Sequence, residues 1–387
     1  MTAAPIPLRQ GVDDFRHELR TWLDEHCTAR FRALPFQGEM DAERLELMHE
    51  WNRTMADAGW AGIDWPVEFG GRGLGLAHQI VLAEELDRAR APGPLNVIGV
   101  ANIAPSIMTF GTDEQQARYL RPMLRGDEIW CQGFSEPDAG SDLASLSTRA
   151  EPVDGGADGG GWRITGQKVW NTYGQLAQWC ELLARTDPAA SKHRGISCFI
   201  VDMSLPGIDV RPLRTATGEN DFCEIFFDDV HVPASALLGP LDQGWTVAMA
   251  TLTFERSGVA NLHIPTRRLI GELIDEARAA GRTDDPIVRQ ELAALWSAGE
   301  LQRLLSERAT TRALQGLPAG PESSLIKMVW SLVGQQLPMV ATRVLGLAAL
   351  EGDWGQKLVH SRSLTIAGGT TEVNRNIIGE RVLGLPR

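Results

Sequence analysis

Trp162-Arg163-Ile164-Thr165-Gly166-Gln167-Lys168-Val169-Trp170-Asn171-Thr172 lies where the hydrophobic rhythm of the chain changes. Trp162 to Thr165 is a short β-prone run, and similar runs follow at Cys180–Ala184, Ile196–Val201 and Cys223–Phe227. Upstream the apolar residues recur at helical spacing: Phe15, Leu19, Trp22 and Leu23 form one face, and Leu45, Leu47, Met48, Trp51 and Met55 another. Ile80, Val81, Leu82 and Leu86 continue that pattern. Downstream of Gly244 the helical period returns, with candidate helices over Thr246–Ala279, Pro286–Gln315 and Ser323–Leu347, and a last segment from Thr371 to Val382. Long helices with short connections suggest a bundle. The order is helical, β, helical: an α+β multidomain chain divided as 1–127, 128–238 and 239–387.

Composition narrows the function without naming it. The chain has 387 residues, enough for two or three packed units. A formal charge of −13 argues against nucleic acid as a partner, because phosphate binding needs clustered Lys and Arg. No apolar run reaches the ~20 residues that cross a bilayer. Met1 to Gln10 lack the basic segment and apolar core of a signal peptide, so a cytoplasmic location is expected. The 5 cysteines are scattered, with no C-x-x-C pair, and read as reduced buried thiols. The 8 histidines are equally dispersed, and no metal is expected.

Several short segments carry chemistry, each with a plain structural reading beside it. Gly71-Arg72-Gly73-Leu74-Gly75 has the glycines of a dinucleotide loop but no preceding strand and no acidic residue at the right offset, so it reads as a turn. Gly155 to Gly161 reads as a hairpin connection rather than a phosphate loop. Phe134-Ser135-Glu136-Pro137-Asp138-Ala139-Gly140-Ser141-Asp142 is either a turn leading into a strand or a loop that lets backbone amides approach a ligand closely. Trp170-Asn171-Thr172 offers a flat aromatic face beside a hydroxyl, and a core tryptophan is the alternative. Glu255 lies among apolar helix residues, where desolvation would suit it to act as a base; an Arg-paired structural Glu is the alternative. In Gly368-Gly369-Thr370-Thr371-Glu372, flexible glycines precede a threonine suited to an N-cap.

Taken together these segments resemble the acyl-CoA dehydrogenase family. The resemblance rests on Gly70-Gly71-Arg72-Gly73, Ser135-Glu136-Pro137 with Ala139 to Asp142, and Gly166 to Trp170. It continues through Phe226-Phe227-Asp228-Asp229-Val230 with Val232-Pro233, and Gly368 to Glu372 running on to Glu380-Arg381. It covers essentially the whole chain. It implies an N-terminal helical domain, a central β domain and a C-terminal four-helix bundle, with FAD as cofactor. By the same resemblance Gln132, Phe134, Ser135, Gly140, Ser141, Trp170, Thr172, Thr370 and Glu372 border the flavin, and Ser141 the acyl-CoA; Arg256 is expected to orient the substrate or tune Glu255, with a structural ion pair as the alternative. The implied reaction is α,β-dehydrogenation of an acyl-CoA to the trans-2-enoyl-CoA, as in β-oxidation of fatty acids or other lipids. Flavin N5 takes the hydride, and an electron-transfer flavoprotein takes the electrons.

Two positions depart from the family pattern. Many members place the catalytic Glu just before the Gly-Thr of the C-terminal motif, where this chain has Gly368. Isovaleryl- and long-chain-type members place it on an earlier helix beside an Arg, matching Glu255-Arg256. Glu255 is therefore the expected α-proton base. The Arg-x-x-Phe-Gly segment that reaches a neighbouring subunit's FAD is replaced by Arg282-Thr283-Asp284-Asp285-Pro286, with Arg282 or Gln290 as substitutes. The expected assembly is a homo-oligomer, dimer or tetramer, with a hetero-oligomer as the alternative that this replacement favours.

Overall fold

The computed structural model describes residues 9–34, 40–154, 160–317, 320 and 322–386, with the side chains of 9, 10 and 254–260 outside the description. The readings made above on residues 1–8 and 155–159 lie outside it as well. The described helices are α1 (Arg9–His26), α2 (Ala29–Arg32), α3 (Ala42–Asp57), α4 (Leu76–Ala89), α5 (Ala104–Phe110) and α6 (Asp113–Arg125). Eight strands follow: β1 (Trp130–Gly133), β2 (Arg149–Val153), β3 (Gly161–Thr172), β4 (Trp179–Arg185), β5 (Ile196–Asp202), β6 (Ile208–Leu213), β7 (Phe222–Pro233) and β8 (Leu237–Leu238). Then come α7 (Gly244–Gly258), α8 (His263–Ala279), α9 (Pro286–Leu314), α10 (Glu322–Leu345), α11 (Asp353–His360) and α12 (Thr371–Ile377). The single long helix expected over Thr246–Ala279 is two, joined by a 3₁₀ turn at Val259–Leu262. Pro265 supplies the reason: it has no N–H to give to the carbonyl four residues back, so α8 must start close ahead of it.

The chain packs as two units interleaved in sequence. One comprises 26–75 and 91–255 and contains the sheet, whose order is β6-β7-β3-β2-β4-β5-β8, with β1 beside β4. β1 and β4 are parallel, from Trp130↔Trp179 to Gly133↔Leu182. Alternation along these strands sorts two cores. Trp130, Leu183, Cys198 and Ile200 pack with Ile103 and with Ala104 and Ile107 of α5, Leu120 and Met123 of α6, and Val247 and Ala248 of α7. Cys131, Cys180, Leu182 and Phe199 turn to the other face, with Trp162, Ile164, Cys223 and Ile225. None of the five cysteines is in a disulfide, and all five are buried.

The second unit comprises 1–25, 76–90 and 256–387 and is helical. Its core joins Ile270 and Leu273 of α8, Leu292 and Leu295 of α9, and Val333, Leu337 and Val340 of α10. Helix α4 is fastened to α8 by Arg268 on Asp87 at 2.9 Å and Arg90 on Glu272 at 2.7 Å. Buried Glu85 of α4 accepts from Arg16 at 3.0 Å, Arg20 at 2.6 Å and Arg88 at 2.7 Å. Burial alone would raise Glu85, but these three guanidiniums hold it at about 2. Residues 282–285, where the resemblance lacks its Arg-x-x-Phe-Gly segment, form the turn into α9, which begins at Pro286. Asp285 caps it by accepting from the Ile287 N–H at 2.8 Å, and Pro286 takes the first helical position.

Candidate active site

Strand β1 and the loop after it are laced onto β3. The Ser135 carbonyl accepts from the Val169 N–H at 2.9 Å, the Gln132 carbonyl from Asn171 Nδ2 at 2.6 Å, and the Phe134 carbonyl from Lys168 Nζ at 3.0 Å. Gly133 lets β1 lie close against β4: a Cβ there would sit 2.7 Å from Leu182 Cδ1 and 2.8 Å from Cys180 Sγ. Pro137 and Asp138 form a two-residue turn, closed by Glu136 N–H to the Ala139 carbonyl at 3.0 Å and the reverse bond at 3.1 Å. The residues read from sequence in this loop are thus brought together: Phe134 is buried, Gln132 and Ser135 are half-buried, and Gly140 and Ser141 are exposed.

A buried ion pair that sequence reading assigned no role holds this loop. Lys168 is fully buried, and its Nζ lies 2.8 Å from Glu136 Oε1. Glu136 also accepts from Ser147 N–H at 2.7 Å, Ser147 Oγ at 2.8 Å and Thr148 N–H at 2.9 Å. Burial pushes Glu136 up, yet the Lys168 charge and these donors hold it at about 2. Burial pulls Lys168 down, and Glu136 opposes that fall. Both residues sit inside the quoted motifs, Ser135-Glu136-Pro137 and Gly166 to Trp170, and the signal that could have paired them is their opposite charge in runs destined for burial.

Two residues beyond Lys168 on the same strand, Trp170 is 61% exposed. The β3–β7 register shifts between Val169 and Asn171, and Trp170 has a left-handed φ of 64°. A bulge therefore turns the indole out of the ladder, edge-on to Phe222 with centroids 5.9 Å apart. A large non-glycine side chain in that conformation is a local strain of the kind that persists at functional sites. The core-tryptophan alternative is not what the chain adopts. Thr172 is half-buried on the same strand end, opposite Phe222.

In the helical unit Thr370 is the N-cap of α12, its Oγ1 accepting from the Val373 N–H at 3.2 Å, and Glu372 is exposed in the first turn. Gly368 and Gly369 have φ of 65° and 87°, so the turn ahead of the cap uses their freedom. Glu255 belongs to α7, four residues after Thr251; the side chains of Glu255 and Arg256 lie outside the described residues. Among the described residues no group of three or more His, Cys, Asp or Glu could hold a metal. No described helix is long and apolar enough to cross a membrane.

Models of the acyl-CoA dehydrogenase N-terminal, middle and C-terminal domains match residues 12–127, 131–230 and 242–383. The acyl-CoA dehydrogenase IpdE1 of Mycolicibacterium smegmatis is 40% identical over 392 residues, spanning 97% of this chain and 98% of its own. The chain belongs to the acyl-CoA dehydrogenase family. A solved structure described as the Tcur3481-Tcur3483 steroid ACAD is 30% identical and covers 99% of this chain and 100% of its own, with a TM-score of 0.85. The ChsE4-ChsE5 complex from Mycobacterium tuberculosis matches at 29% identity over 100% of both chains, with a TM-score of 0.84. The protein is thus a flavin-dependent acyl-CoA dehydrogenase with FAD as cofactor. The residues around β1 and β3 fit a flat, polar-edged ring. The Trp170 indole is exposed, and a Cβ at Gly140 would meet nothing within 4 Å.

Proposed function

We propose that this enzyme removes hydrogen from the Cα–Cβ bond of an acyl-CoA, giving the trans-2-enoyl-CoA, with Glu255 as α-proton base. The observation that carries the assignment is the Gly368-Gly369 turn. It presents no side chain at the place where most acyl-CoA dehydrogenases carry their base, while α7 runs unbroken through position 255. Bound FAD supplies the hydride acceptor at N5. Trp170 would cover the ring and Thr172 approach its edge. Gln132, Phe134, Ser135 and Gly140 would line it, with Thr370 and Glu372 as the C-terminal contacts. Ser141 and Arg256 would meet the acyl-CoA, and an electron-transfer flavoprotein would receive the electrons. The steroid ACAD among the similar structures makes a steroid-derived acyl group the first substrate class to test. We place the enzyme in the cytoplasm as a homo-oligomer, with the two-component ChsE4-ChsE5 complex supporting a second chain as the alternative. By sequence we divide it at 127/128 and 238/239.

The test is an anaerobic titration of the flavin absorbance with straight-chain, branched and steroid side-chain acyl-CoAs, on the wild type and Glu255→Gln. The variant is expected to keep its FAD and to lose roughly 10³-fold or more in turnover, the upper range for a removed general base. Near-normal dehydrogenation by Glu255→Gln refutes the assignment.

A further inference from the structure

One buried acid in the sheet unit has no part in the reaction as written. Glu181 sits in the middle of β4 and is fully buried. Its register partner on β1 is Gln132, and on β5 it is Ile200. Strand alternation puts Glu181 on the face of Leu183 and Gln132 on that of Trp130, the face covered by α5 and α7. There Thr251 Oγ1 of α7 lies 2.9 Å from Glu181 Oε1, and Ser106 Oγ of α5 lies 2.7 Å from Thr251 Oγ1. Cys198 Sγ of β5 is 4.0 Å from the same carboxyl oxygen. The groups facing Glu181 are therefore Gln132, Cys198, Ser106 and Thr251. None of these four is cationic, and Cys198, the titratable one, is itself held up by burial and by Glu181. Burial pushes Glu181 up to about 8, against the opposing pull of Thr251 and Gln132. Burial therefore favours its protonated form. Glu181 Oε2 and Gln132 Nε2 are both buried without a partner in hydrogen-bond geometry.

We propose that Glu181 is a positioning residue of this active site, a buried side chain that joins Gln132 of β1 to Thr251 of α7. The inference rests on the reading that Gln132 borders the flavin and Glu255 is the base. A carboxylic acid accepts at one oxygen and donates from the other. With Thr251 at Oε1, the Oε2 hydroxyl has the side-chain amide of Gln132 as its acceptor, once that amide is turned to bring its oxygen inward. Glu181 Oε2 then has a partner, and Gln132 presents its NH₂ outward. Thr251 precedes Glu255 by one helical turn, so the same acid steadies the part of α7 that carries the base. Ionised, Glu181 can only accept; the amide must reverse, and an uncompensated charge is left in the core.

Glu181→Gln separates the effects, because an amide donates and accepts at every pH but does not ionise. The wild-type kcat for whichever acyl-CoA of the panel bleaches the flavin is expected to fall as pH rises through about 8, with KM changed less than twofold. Glu181→Gln is expected to lack that limb and to keep its FAD. Its Tm is also expected to stay level over the pH range in which the wild-type Tm declines. A kcat profile for Glu181→Gln that superimposes on the wild type, or an equal decline in Tm, overturns the proposal. If the variant does not fold, infrared spectroscopy of the wild type decides. A protonated carboxyl band that persists at pH 7 and disappears by pH 9 supports the neutral acid, and its absence at pH 7 overturns it. If no acyl-CoA bleaches the wild-type flavin, the dehydrogenase reading fails first and takes this inference with it.

Discussion

Glu136, in the loop that follows β1, and Glu181, in the middle of β4, belong to the same sheet unit and are both buried, yet burial leaves them in opposite states. Glu136 meets an ammonium and three further donors and is held down at about 2; Glu181 meets a hydroxyl, a thiol and an amide and is pushed up to about 8. The cost of desolvation is common to both. The difference lies in whether a compensating charge stands within hydrogen-bond reach. One region uses a fixed ion pair to hold the loop under the proposed flavin site. The other keeps a proton that solvent pH can remove.

Breaking the ion pair tests the first half of this contrast and has the largest expected effect. Lys168→Met leaves Glu136 buried without its counter-ion and is expected to cost about 3–5 kcal/mol in urea unfolding. Glu136→Gln/Lys168→Met is expected to cost less than Lys168→Met, since it leaves no buried charge. A Lys168→Met loss under about 1 kcal/mol would mean that the backbone donors alone hold Glu136.

The pH dependence of stability sharpens the contrast, because the two acids act with opposite sign. Glu136 is lowered from 4.5 to about 2, so its contribution is present above 4.5 and is lost as pH falls toward 2. Glu181 is raised from 4.5 to about 8, so its contribution is present below 4.5 and is lost as pH rises toward 8. Glu181→Leu should therefore gain a few kcal/mol on the wild type between pH 5 and pH 9, measured as the change in unfolding free energy across that range. A difference independent of pH would place the proton elsewhere.

The smallest expected effect lies two residues from Lys168. Trp170→Gly removes an exposed indole and relieves a left-handed backbone, so stability is expected to hold within about 1 kcal/mol or to rise. FAD affinity is expected to fall by roughly tenfold, the value of about 1.4 kcal/mol of lost stacking. Unchanged affinity would detach Trp170 from the cofactor, and a large loss of stability would return it to a structural role.

Much of the architecture is legible in the chain itself, because hydrophobic period, caps and breakers act over a few residues. The helical, β, helical order, the strands around Trp162, Cys180, Ile196 and Cys223, the Asp285-Pro286 start of α9 and the Thr370 cap follow from local pattern, and the motif series follows from residue type and spacing. Three features needed the path of the chain in space. Helices α1 and α4 pack with the C-terminal helices because Glu85 of α4 collects Arg16 and Arg20 from α1, and Asp87 of α4 takes Arg268 from α8. Trp170 faces outward because a register shift against β7 turns it there, and the same tryptophan in an unbroken ladder would have read as core. Glu181 signals only as one acid in an apolar strand. Its protonation depends on Gln132, Cys198 and Thr251 arriving from two other strands and a helix with no cation among them. Periodicity is a property of neighbours in sequence, whereas the state of a buried charge is set by neighbours in space.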